Sequence, residues 1–447
     1  MSEKSLQTGD AMPDPPPETL ECRICGAKSR WTDGFTSMSN PFRKPHHVCV
    51  TCRAYRKKYR DYYISFTWWT AFAIVMGYQL TGSSLEAVLF ASGVYLSLYL
   101  AIVLHEIGHV AAAYAVGADV PVVSFGGGLR AKVVKMRNLF VVFSPTPTEG
   151  LMIPVHSTNR NYRMKACMIS LAGPVVNLLA ALGGMAILIS GGEDLSEYTH
   201  GAVLIWTVTN LFLGIENLFS FSRKTALGTQ QSDGARIWNI WSKSDEEIRK
   251  LLQFQKLIVA SLEFHLGDKE KALTLVEREI DQGNDSFQAR MLMTAALADT
   301  GRLNRGIELG RKYLEDDGTG LMERALFQNN LAFTLFQTGD ESDLHEADRL
   351  SAQAIETLPM ILAIKSTRGS ILIATGRYEE GLSLLDDKRF KLEKRGHRAS
   401  VKAMQAVGLA SLGNRDRASR LLSAARSLDP ANRQLRTAEA ALATIDA

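Results

Sequence analysis

Apolar and polar positions divide the chain into four stretches with different patterns. Residues 1–20 are polar, acidic and proline-rich, with Pro13, Pro15, Pro16 and Pro17. They predict a disordered lead-in and contain no apolar core of a secretory signal. Residues 21–63 are mixed in character. From about 64 to 221 long apolar runs dominate, and from 245 to 440 the pattern is that of amphipathic helices.

The apolar runs predict four membrane crossings: Ile64 to Leu80, Leu85 to Val116, Ala166 to Ser190 and Ala202 to Phe221. Each is long enough for a hydrocarbon core of about 30 Å. Trp68 and Trp69 stand near the start of the first run, where an interfacial aromatic belt belongs. The stretch 117–165 carries Arg130, Lys132, Lys135, Arg137, Arg160, Arg163 and Lys165 against Asp119 and Glu149. The loop before the last run carries only Glu193, Asp194 and Glu197. Cytoplasmic loops are the basic ones, so both termini and 117–165 are expected in the cytoplasm of a multi-pass protein. The turn 81–84 and the acidic loop are then expected outside. Val120 to Ile153 reads as β-strand, and Gly126, Gly127 and Gly128 suggest a turn or a close backbone approach. These strands make either an ordinary hairpin or an edge for an extended peptide.

Turn glycines recur in the last stretch at Gly267, Gly301, Gly339, Gly376 and Gly413, at intervals of 34, 38, 37 and 37. A small residue follows five positions after four of them (Ala272, Gly306, Gly381, Ala418), and Ala347 follows eight after Gly339. Pro359 and Pro430 mark helix ends. This period, with a small residue where two helices cross, predicts tetratricopeptide-like helical repeats, which bind proteins and carry no chemistry of their own.

Composition changes this picture little. The hydrophobic fraction is 46% and the formal net charge +4, too mild to suggest nucleic acid. The cysteines change it more. Four of the five fall as Cys22-x-x-Cys25 and Cys49-x-x-Cys52, with 23 residues between the knuckles. Paired knuckles of this kind supply four thiolates to one structural zinc, which stands in for the core so short a segment lacks. His46 and His47 lie beside the second knuckle, but four cysteines suffice. The basic run Arg53, Arg56, Lys57, Lys58 and Arg60 fits a membrane flank better than a nucleic-acid site. A nucleic-acid role would show as salt-sensitive binding by residues 1–63.

The candidate chemistry lies in the second apolar run, as His105-Glu106-Ile107-Gly108-His109. Histidines four apart on a helix share a face and can hold one zinc, and the glutamate between them can act as a base toward water. Two packed polar histidines are the bland alternative, but ionisable groups are costly in a membrane segment and usually functional. A catalytic zinc needs a third protein ligand. On the residues alone, Glu216 and Asp233 are both open.

His105 to His109, the run Ala172-Gly173-Pro174-x-x-Asn177, and Asn217 followed by Asp233-Gly234 resemble the site-2 protease family of intramembrane metalloproteases over about residues 64–240. The resemblance implies zinc ligands His105, His109 and Asp233, with Glu106 as base. It also implies that Asn177 and Asn217 hold the substrate backbone. Ser220 stands where that family carries proline, and the interval from Asn217 to Asp233 is longer than in its compact members.

The expected architecture is therefore mainly α: a disordered lead-in over 1–20, a zinc ribbon over 21–63, a polytopic membrane metalloprotease core over 64–240, and an α-solenoid over 245–440. Two zinc ions are expected, one catalytic and one structural. The expected activity is hydrolysis of peptide bonds in or near transmembrane segments of membrane-anchored proteins, in regulated proteolysis. The repeats would recruit substrate or a regulator, and nucleic acid is not an expected partner. The competing reading is a membrane-tethered scaffold with a structural or inactive metal site.

Overall fold

The computed structural model describes residues 19–29, 35–40, 43–56, 62–127, 131–156, 158, 160–191, 195–219, 221–225, 228–316 and 318–443. Most of the lead-in, Arg130, Ser220 and the Glu193–Asp194 pair lie outside them. The first elements are β1 (Leu20–Glu21), β2 (Lys28–Ser29), β3 (Phe35–Asn40), β4 (Arg43–Cys49) and α1 (Val50–Arg56). The membrane region follows with α2 (Tyr62–Thr81), α3 (Ser84–Ala115), β5 (Asp119–Gly127), β6 (Lys132–Met136), β7 (Leu139–Phe143), β8 (Thr146–Val155), α4 (Tyr162–Gly191) and α5 (Glu197–Leu218). After β9 (Ser222–Thr225) and β10 (Gly228–Gln231) the chain is helical: α6 (Asp233–Ser242), α7 (Asp245–Leu266), α8 (Lys269–Asp281), α9 (Phe287–Asp299), α10 (Leu303–Leu314), α11 (Leu321–Thr338), α12 (Glu341–Thr357), α13 (Leu362–Ala374) and α14 (Tyr378–Leu385). A 3-10 turn (Lys388–Leu392) precedes α15 (Arg395–Ser411), α16 (Arg415–Leu428) and α17 (Gln434–Ala443).

These elements form two compact units, residues 56–292 and residues 1–55 with 293–447. Among the described residues of the first unit, α3, α4 and α5 are long and apolar enough to cross a membrane. The helix α2 adds 20 residues of apolar sequence. Large apolar side chains such as Ile107, Leu179, Leu182 and Ile189 are exposed on these helices, as lipid-facing side chains are. Small residues sit where the helices cross. A Cβ on Gly77 would meet the Ala87 backbone, one on Gly108 the Ala172 carbonyl, and one on Gly214 the Leu178 side chain.

The predicted β region is a four-stranded mixed sheet in the order β6-β7-β5-β8. β6 and β7 form the antiparallel hairpin, while β5 runs parallel to β7 and antiparallel to β8. Among the described residues the free edges are thus β6 and β8. The close backbone approach expected at the glycines is made by Gly126, which has φ +79 and whose missing Cβ leaves room for the Ser144 carbonyl. The helical pair α7 and α8 packs with this unit. Buried Glu263 of α7 accepts from Lys135 of β6 (2.6 Å) and Lys271 of α8 (2.7 Å). Burial alone would raise its carboxyl, and the two lysines reverse this and hold it below its ordinary range.

In the second unit α11–α12, α13–α14 and α15–α16 are helical hairpins. Gly301, Gly339, Gly376 and Gly413 all have positive φ, the turn conformation their period predicts. Gly267, in the other unit, differs: its φ is −132, and there a Cβ would strike the Glu263 carboxylate. The small residues expected at the crossings, Ala272, Gly306, Ala347, Gly381 and Ala418, are all buried. The ribbon residues share a core with the repeats of their unit: Cys22, Ala27, Val48, Cys49 and Cys52 pack with Ala325, Ala354, Leu358, Met360 and Ile364.

Candidate active site

α3 carries His105, Glu106 and His109 on its buried face. α4 packs across it, and Asp233 is the first residue of α6, whose N-cap Ser232 side chain accepts from the Ala235 amide. The three ligand atoms converge. His105 Nε2 and His109 Nε2 are 3.1 Å apart, and Asp233 Oδ2 is 3.0 Å and 3.3 Å from them. Nitrogen and oxygen ligands on a tetrahedral zinc stand about 3.3 Å apart.

The other ring nitrogens fix the tautomers. His105 Nδ1 donates to Asn177 Oδ1 (2.6 Å) and His109 Nδ1 to the Ile169 carbonyl (2.6 Å). Both Nε2 lone pairs then face the Asp233 carboxylate. Three acceptors at that separation repel one another unless a cation lies between them, so the donor set fits a bound metal. Pro174 lies inside α4 and, lacking an N–H, leaves the Ser170 carbonyl without its intrahelical donor.

Two glycines give the site its room. A Cβ on Gly173 would lie 2.5 Å from His109 Nε2 and 2.7 Å from His105 Nε2. A Cβ on Gly150, in β8, would strike the Glu106 carboxylate. Glu106 itself is 5% exposed, and its Oε2 has no hydrogen-bond partner among the described residues. A buried carboxylate oxygen without a partner is costly and marks a place where water or substrate belongs.

Asn177 is fully buried and fully engaged. Its Nδ2 donates to the Ala101 carbonyl (3.0 Å) and to Asn210 Oδ1 (2.8 Å). Asn217 is half-buried and donates to the Leu213 carbonyl of its own helix (3.0 Å). The alternative ligand Glu216 is absent from the cluster of His105, His109 and Asp233. Sequence reasoning missed Asn210 and Gly150, and it named Gly234 without its packing role. Asn210 was findable as an amide inside an apolar run, seven residues before Asn217. Gly150 was findable as a glycine inside a strand. Gly234 lets the start of α6 touch the Leu218 carbonyl, a contact no local pattern reveals.

A third residue, His156, was also missed. It follows β8 and is 2% exposed, with its ring against Tyr162 (4.9 Å) and neither ring nitrogen hydrogen-bonded among the described residues. Burial, with Lys165 nearby, pushes its pKa down to about 4.

The second cluster is made of Cys22, Cys25, Cys49 and Cys52, whose sulfurs all lie within 4.8 Å of one another. Cys25 and Cys49 Sγ are 3.8 Å apart, against about 3.8 Å for two thiolates on one tetrahedral zinc. Gly26, with φ +69, closes the first knuckle, and the amides of Cys49 and Cys52 donate to Cys22 Sγ (3.3 Å) and Cys49 Sγ (3.4 Å). His47 is exposed. The cluster fits the expected zinc ribbon.

An apolar helix with two histidines and a glutamate, met by an aspartate from a later helix, is an arrangement that could hold a metal beside a base. The chain belongs to peptidase family M50, whose model matches residues 93–367. No curated protein matches it significantly. Among solved structures it is similar to TTC0263, a thermophilic TPR protein in Thermus thermophilus, at 20% identity over 43% of this chain and 99% of that one, with a TM-score of 0.33. It is also similar to YrrB, described as a TPR protein with an unusual peptide-binding site, at 16% identity over 44% of this chain and 96% of that one, with a TM-score of 0.29.

Proposed function

We propose that the protein is an intramembrane zinc endopeptidase that cuts membrane-anchored proteins in or near their transmembrane segments and releases cytoplasmic fragments. The observation that carries this reading is the convergence of His105, His109 and Asp233 beside the unpartnered oxygen of Glu106, within an apolar helix. Zinc in that position supplies Lewis-acid polarisation of a carbonyl and a water acidic enough to react near neutral pH. Glu106 is placed to take a proton from water and to return it to the leaving amine. Asn177 and Asn210 hold His105 in the tautomer that leaves Nε2 free. A scaffold with an inactive site has no use for a buried, unpaired Glu106.

A transmembrane helix must unwind before its peptide bonds can be reached. The unwound segment adds as a strand to the sheet of residues 119–155, and of its two free edges β8 is the one whose Gly150 passes over Glu106. Asn217 is the proposed backbone contact, and Asn177, whose amide is spent on His105, Ala101 and Asn210, is assigned instead to holding His105. The repeats recruit substrate or a regulator. Two features support four crossings that leave both termini on one side, which the basic stretch 117–165 assigns to the cytoplasm. Ribbon and repeats flank the membrane region yet share one core, which requires an even number of crossings. Trp238 and Trp241 of α6 are 77% and 57% exposed, as interfacial anchors are, while Asp233 on the same helix is buried.

The test is cleavage of a candidate single-span substrate in vesicles by wild type, Glu106→Gln and Asp233→Ala. Loss of about 100-fold or more is expected in Glu106→Gln, the scale of a general base, and Asp233→Ala should also lose one of two bound zinc ions. Unchanged cleavage in either variant refutes the reading.

A further inference from the structure

The ribbon and the repeats are joined by more than an apolar patch. Arg389, in the 3-10 turn after α14, is 7% exposed. Its Nε donates to Asp387 Oδ1 (2.8 Å), its Nη2 to Asp387 Oδ2, and its Nη1 to Cys52 Sγ (3.3 Å). Lys365 of α13 holds Asp387 Oδ2 from the other side (3.1 Å). Ser29 of β2 donates to the Thr357 carbonyl at the end of α12. Between these contacts, Leu358 and Met360, in the turn from α12 to α13, are 1% and 0% exposed within the core shared with the four cysteines.

We propose that the repeats complete the ribbon's metal site: Arg389, held by Asp387 and Lys365, donates to the Cys52 thiolate, so that zinc binding by Cys22, Cys25, Cys49 and Cys52 and docking of the ribbon on α11–α13 form one linked equilibrium. This rests on the reading of the four cysteines as a metal site. A buried guanidinium must find acceptors for its donors, and the sulfur of a metal-bound thiolate is a charged one. The charges agree. Four thiolates around a divalent cation carry a formal −2, and the Lys365, Asp387 and Arg389 trio carries +1.

Linkage makes the effect reciprocal. Whatever the docked repeats add to zinc affinity, zinc adds to docking. Arg389 touches a ligand and not the metal, so it is a positioning residue. Zinc thereby clasps two parts of the chain that the whole membrane region separates in sequence, and its loss uncovers the α12–α13 turn of the solenoid.

The unaltered full chain in nanodiscs gives the first test. Stripping zinc with a chelator should raise amide exchange in residues 354–364 of the repeats as well as in the ribbon, with readdition reversing both. The second test is zinc affinity by competition with a chromophoric chelator, counting the uptake that Cys22→Ser removes. Arg389→Met should weaken it by about 10–100-fold, the usual loss when a ligand's hydrogen-bond partner is removed, and Arg389→Lys should recover part of that. Unchanged exchange at 354–364 on zinc removal, or wild-type affinity in Arg389→Met, overturns the linkage. If Cys22→Ser removes no zinc uptake, the metal reading of the four cysteines itself fails, a result distinct from either of these.

Discussion

The protein holds two clusters of side chains that could bind a metal, and they differ in how their polar atoms are used. In the ribbon, the four sulfurs lie within 4.8 Å of one another and receive N–H groups from Cys49, Cys52 and Arg389. At the membrane site there are three ligand atoms, and beside them a buried carboxylate oxygen with no partner among the described residues and two glycines where any side chain would intrude. A complete, all-sulfur shell stabilises structure and offers nothing to a substrate. An incomplete shell with a free base keeps a position open for chemistry. Two sites in one chain can thus be assigned different work from the occupancy of their hydrogen bonds.

Three substitutions sharpen that contrast. The largest effect is expected from Gly173→Ala, whose Cβ would press on His109 Nε2. Cleavage should fall by at least the 100-fold or so that losing a ligand's support costs, with the ribbon's zinc retained. Metal content and activity, measured on one preparation, check this; full activity would mean that α4 moves aside. Asn177→Ala removes the acceptor for His105 Nδ1 and leaves Asn210 Oδ1 without its donor. Zinc affinity at that site should drop by about 10–100-fold, read by competition in the Cys22→Ser background so that only the membrane site counts. Cys22→Ser alone should leave the chemistry of the Glu106 site in place.

The smallest effect concerns neither metal. His156 has a folded pKa of about 4, below the ordinary value near 6.5. Its neutral form is favoured in the folded state. The stability this contributes is full above about pH 6.5 and is lost as pH falls toward 4, because the unfolded chain takes up the proton first. His156→Gln should flatten that part of the stability–pH curve, measured by thermal unfolding in detergent. An unchanged slope between those pH values would assign the loss to other groups.

Legibility in the sequence follows from how local each feature is. The pair His105 and His109 was visible because helical periodicity alone puts them on one face. The cysteine knuckles and the turn glycines at Gly301, Gly339, Gly376 and Gly413 were visible because their geometry is set within a few residues. Asp233 was one of two open candidates until a family pattern chose it, since nothing local tells a solvated aspartate from a ligand 124 residues after His109. Gly150 over Glu106, Asn210 beside Asn177, and the parallel pairing of β5 with β7 depend on tertiary packing and leave no period behind. Gly267 shows the converse: it keeps the repeat's spacing but not its conformation, because Glu263, tied to two lysines, occupies the space beside it.

The packing of the ribbon on the repeats also sets an order of events during synthesis. Cys52 leaves the ribosome 337 residues before Arg389, which at 5–20 residues per second is roughly 17–70 s. All the apolar segments are made in that interval. During that interval only the ribbon's own residues are there to hold the four thiols, and the buried arginine reaches Cys52 late. A chain that stops before α11 carries a ribbon with no surface to close on, so the amino-terminal end of this protein is finished last.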